Sequence, residues 1–117
     1  MHAFPSASPR PGKPREDRVM FQRPELDAIL RVYSLMVAAG HWRDYAIDGL
    51  RDRAEFSIFR HAAEFPAYRI VKTPADARRQ GAWKVAAPGG VILKRGHDLD
   101  TVMKVFDPQL RKLVWGR

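Results

Sequence analysis

The 117-residue chain contains no cysteine and no asparagine. The missing cysteines exclude disulfides, thiol nucleophiles and thiolate metal sites together. No apolar run approaches the roughly 18 residues of a membrane-spanning helix. The opening MHAFPSASPRPGKPRED lacks the apolar stretch that a secretory signal needs. Beyond that opening, Ser34 and Ser57 are the only serines, and neither stands in the sharp turn that exposes a catalytic serine. His2, His41, His61 and His97 never fall at the i, i+4 spacing of a paired metal site. Pro88-Gly89-Gly90 suits a hairpin and lacks the phosphate-loop pattern. No nucleophile, base and orienting group are assembled, so a non-enzymatic protein without metal or cofactor is expected.

Positive charge is what the chain has in excess. Lysine and arginine total 21 against 13 acids, giving +8 and a pI near 10.4. Such a balance suits an anionic partner, either nucleic acid or an acidic protein, although net charge also serves solubility. Residues 1–18 hold four proline residues, four basic residues and two acids, with almost nothing to bury after Phe4. Proline blocks both helix and sheet hydrogen bonding, so this stretch is expected to be a disordered basic tail. It leaves +6 on residues 19–117, which are expected to form one domain.

The periodicity of that domain reads as α+β. Leu26, Ile29, Leu30, Tyr33, Met36 and Val37 recur at helical spacing behind Pro24, and Gly40 supplies a stop. A helix is predicted over 24–39. Tyr45 and Ile47, Phe56 and Ile58, Tyr68 and Ile70, and Trp83 and Val85 then alternate with polar or small neighbours, and Val91-Ile92-Leu93 follows the Pro88-Gly89-Gly90 turn. This period of two predicts an antiparallel meander sheet of about five strands. A helical turn is expected within 75–79. Asp98 caps a C-terminal helix built on Leu99, Val102, Met103 and Phe106, which restarts at Pro108. Both helices are expected to pack on one sheet face.

Three stretches carry a resemblance: His41-Trp42-Arg43-Asp44-Tyr45-Ala46-Ile47-Asp48, Ala77-Arg78-Arg79-Gln80-Gly81, and Ile92-Leu93-Lys94-Arg95-Gly96-His97-Asp98-Leu99. In that order, behind the helix at Pro24, they resemble a small alphaproteobacterial family known only as a domain of unknown function (number 2794). The resemblance covers residues 20–107. It implies a bacterial, cytoplasmic protein and brings no activity, cofactor or partner.

Strand parity then places the candidate binding residues. With the apolar set turned to the helices, Leu93 included, the open face carries Phe59, Arg69, Val71, Lys84 and Lys94. Cations around an aromatic ring are what single-stranded nucleic-acid platforms use, although wet sheet faces also collect lysine and arginine. Arg78 and Arg79, in the longest irregular connection, form a second basic cluster suited to phosphate or carboxylate. Lys94 and Arg95 enter the turn at Gly96, where Asp98 occupies the helix cap that an anion would otherwise take. The leading expectation is a non-catalytic binding module for an anionic partner, nucleic acid first. The alternative is a protein-interaction or assembly domain using an edge strand or the apolar C-terminal end around Trp115.

Overall fold

The computed structural model describes residues 17–61 and 65–115, the side chains of 113–115 excepted. Residues 1–16 of the tail expected over 1–18, and the Trp115 side chain, therefore lie outside the described residues.

The first helix, α1 (Arg23–Ala38), starts and stops one residue before its predicted bounds. Its cap is Gln22, whose backbone N–H donates to Glu25 Oε1 at 2.7 Å. The same carboxylate oxygen accepts from Lys72 Nζ at 2.8 Å, and Lys72 also donates to the Met20 carbonyl at 3.0 Å. One half-buried ion pair thus ties the start of α1 to the sheet. Gly40 has φ +84°, which an L side chain resists, and ends the helix as expected. The N–H groups of Ala39, Gly40, His41 and Trp42 fold back onto the carbonyls of Leu35, Val37 and Met36.

Five strands follow: β1 (Asp44–Gly49), β2 (Ala54–Phe59), β3 (Tyr68–Lys72), β4 (Trp83–Ala87) and β5 (Val91–Gly96). Each pairs antiparallel with its neighbour in sequence, giving the meander order β1-β2-β3-β4-β5. The connection from β3 to β4 holds a 3-10 turn over Pro74–Asp76, slightly before the expected position. The chain closes with α2 (Leu99–Met103), a 3-10 turn over Lys104–Phe106, and α3 (Asp107–Trp115), the restart expected at Pro108. Asp98 caps α2 by accepting from the Thr101 N–H at 3.2 Å and its hydroxyl at 2.9 Å.

The core lies on one sheet face. Ile29 and Met36 of α1, with Val102, Met103 and Phe106 of the C-terminal segment, cover Phe56, Ile58, Ile70 and Val85. Trp42 and Phe106 meet edge to face at 5.0 Å, and Tyr68 and Phe106 at 5.1 Å, so aromatic rings close the end of the core where β3 begins. The architecture is α+β, with both helical segments on the same face.

Candidate basic surface

The register places the candidate residues on the sheet. On the face away from the helices, Asp48, Glu55, Val71, Lys84 and Arg95 form one cross-strand row, and Ala46, Ser57, Arg69, Ala86 and Ile92 the next. Val71 and Ser57 are buried there, apart from the main core cluster. Charge is divided across this face: β1 and β2 carry Asp48 and Glu55, while β3 to β5 carry Arg69, Lys84 and Arg95. Arg69 Nε stands 3.9 Å from Glu55 Oε1. The other carboxylate oxygen of Glu55 accepts from Arg53 Nε at 2.7 Å. That hydrogen bond raises the Arg53 guanidinium above its ordinary pKa against the opposing effect of burial, with Glu55 and Asp52 charge adding to it.

Two sequence expectations need correction. A β-bulge between Val85 and Ala86 pairs Val85 with Lys94 and Ala86 with Ile92, leaving Leu93 without a cross-strand partner. The extra residue reverses parity along β5. Lys94 therefore shares the row of Val85, on the face opposite Arg69 and Lys84, and is exposed. Leu93, expected in the core, is 41% exposed. Phe59 does lie on the open face, but it pairs with Asp44 at the far end of β2, so the ring is not grouped with Lys84 and Arg95.

A different grouping replaces the broad platform. The loop before β4 is fastened to the end of β5 and the turn beyond it. The Gln80 side chain accepts from Arg95, and His97 Nδ1 donates to the Ala77 carbonyl at 3.0 Å. Gly81, at φ +97°, is pressed against the backbone of Gly96 and His97. Arg78, Lys84 and Arg95 thereby come to one corner of the sheet, and none of the three makes an ion pair among the described residues. Arg79 belongs to the same loop but pairs with Asp76 at 3.1 Å. Sequence reasoning missed Gln80, Gly81 and His97 as the fastening. The available signal was a glycine at the end of each of two polar stretches.

Among the described residues no group of three or more histidine, aspartate or glutamate side chains could hold a metal ion. No described helix is long and apolar enough to cross a membrane.

Two of the three stretches noted in the sequence are thus one structural unit, and the third, His41–Asp48, forms β1 and the turn before it. A model described as "Protein of unknown function (DUF2794)" matches residues 19–103. The chain belongs to this family. The DUF2794 match takes in α1, the whole sheet and α2, and ends before Phe106 and α3. No curated protein and no solved structure matches the chain.

Proposed function

We propose that this DUF2794 domain is a non-catalytic binding module for an anionic partner, with nucleic acid the leading case, engaged at the corner formed by Arg78, Lys84 and Arg95. The observation that carries the reading is the fastening of the Arg78 loop to β5, which gathers from three parts of the chain three cations that make no ion pair among the described residues. Fixing the loop in the free protein also lowers the ordering cost of binding. Arg69 extends the basic area towards β3. Phe59 is too far along the sheet to stack a base held at the corner, which favours contacts to phosphate over base recognition.

Fluorescence anisotropy of labelled single-stranded RNA and DNA tests this. The Arg78→Gln, Lys84→Gln, Arg95→Gln triple variant is expected to bind at least about tenfold more weakly, with a shallower dependence on salt. Equal affinity and an equal salt slope would remove the corner from the reading.

A second reading rests on β5 as a free edge. Val91, Ile92 and Leu93 are 57%, 39% and 41% exposed, an apolar run on a strand with one unpaired side. The occupant this edge fits is β5 of a second copy. Antiparallel pairing centred between Ile92 and Leu93 sets Val91 opposite Lys94, so no like charges oppose one another. Sedimentation analysis is expected to show a dimer that Ile92→Lys dissociates. A wild-type chain that stays monomeric at high micromolar concentration ends this reading.

A further inference from the structure

A concavity with no carboxylate among its described lining residues lies at the opposite end of the strands from the basic corner. Its volume is about 460 Å³, and it is lined by His41, Trp42, Arg60, His61, Gln109 and Lys112, together with Gly40. The lining comes from three elements distant in sequence: the turn after α1, the exit from β2, and α3. The ionisable side chains among its described lining residues are all basic.

We infer that this concavity is a binding site for a phosphate-bearing small molecule. Arg60 is its anchor. Its Nη2 donates to the Tyr68 hydroxyl at 3.1 Å, and its guanidinium lies 5.6 Å from the centre of the Tyr68 ring. Tyr68 in turn packs edge to face on Phe106 and lies 6.0 Å from Trp42. The guanidinium is therefore held in place by the aromatic end of the core, while its remaining N–H groups make no hydrogen bond among the described residues. A planar fork of donors fixed in this way matches two phosphate oxygens. His41, His61 and Lys112 stand around it as further donors, and the Gln109 amide adds a neutral one.

The end of α1 does not oppose an anion here as strongly as a bare helix terminus would. Its carbonyls at Leu35, Met36 and Val37 are already taken by the N–H groups of Ala39 to Trp42. Trp42 is only 3% exposed, so it forms the floor and offers no stacking surface. That restricts recognition to the anionic group and its immediate attachment, which is why a small phosphate compound fits better than a stacked base.

The test is a nuclear magnetic resonance titration of the full chain with inorganic pyrophosphate. Saturable shifts are expected at the backbone of Gly40, His41, Trp42, Arg60 and His61. Arg60→Gln is expected to weaken binding about tenfold or more, the scale of losing charge-assisted hydrogen bonds. Because Arg60 touches Tyr68, Lys112→Gln serves as a second variant away from the core and is expected to weaken binding several-fold. The triple variant at the basic corner is expected to leave these shifts unchanged, so failure here and failure of the corner are separable. Shifts that never saturate, that appear at every basic residue, or that survive both Arg60→Gln and Lys112→Gln would overturn the site. So would binding of a short oligonucleotide that needs Arg60 while pyrophosphate leaves these residues unmoved, since the phosphate would then belong to a nucleic-acid backbone.

Discussion

Gly81→Ala is expected to remove much of the stability of this domain, about 3–6 kcal/mol from backbone strain and overpacking together. A Cβ at this position would overlap the carbonyl of Gly96 and come within 2.6 Å of the His97 nitrogen. Neither obstacle is a flexible side-chain end, so relief requires moving the loop or β5. The φ of +97° adds a conformational cost of its own. Gly89→Ala is the matched control, because Gly89 also has positive φ, +80°, but a Cβ there meets nothing within 4 Å. It is expected to cost only the backbone part, about 1–2 kcal/mol. Urea unfolding reads both. A Gly81→Ala midpoint equal to that of Gly89→Ala would mean that the loop gives way easily and that Arg78 is not fixed beside β5.

The second large effect is expected from Phe106→Ala. Phe106 is 2% exposed and touches Trp42 and Tyr68 edge to face. Truncating a buried phenylalanine costs about 3–5 kcal/mol in lost transfer energy and residual cavity. Leu110, on α3, only borders the core and is half-buried. Leu110→Ala is expected to cost well under half as much, and a chain ended after Asp107 is expected to unfold cooperatively in thermal melts. If Phe106→Ala and Leu110→Ala fall equally, the C-terminal segment anchors through α3 and not through the 3-10 turn before it. The same variant bears on the phosphate concavity, because Phe106 supports the Tyr68 ring that orients Arg60.

Sequence periodicity reached the fold because its elements obey simple rules. The stripe from Leu26 to Met36, the alternation in β1 to β4 and the caps at Asp98 and Gly40 are local signals, and each was legible, whereas Val37, expected on the same stripe, is 37% exposed. β5 was not. Three apolar residues in succession carry no period of two, so nothing in Val91-Ile92-Leu93 tells which way Lys94 points. The bulge decides that, and it depends on how β5 registers on Val85. The cap at Gln22 was hidden for another reason: glutamine is an uncommon cap, and Glu25 fixes this one from within the helix.

The sites were less legible than the fold. Arg78 and Arg95 were recognisable as cations, but their grouping follows from a Gly81–Gly96 backbone contact between residues on different elements. Phe59 and Lys94 were grouped with Arg69 and Lys84 by parity alone; Phe59 shares their face but lies at the far end of β2, and Lys94 lies on the opposite face. The concavity at Arg60 has no local signature, since His41, Arg60 and Lys112 meet only after the meander has folded back. Where the chemistry depends on long-range contacts, pattern supplies residue types and the fold supplies the partners.

The meander has a consequence for the time course of folding. Every strand pairs with the strand next to it in sequence, so four successive hairpins can close without long excursions of the chain. The contacts that join the two ends of the domain are those of α1 with α2 across the core face. Hairpin formation can thus run ahead of end-to-end closure. Until α1 settles, the apolar face of the sheet is open to water and to other chains, and the Lys72–Glu25 pair is the polar latch that forms as that interval ends.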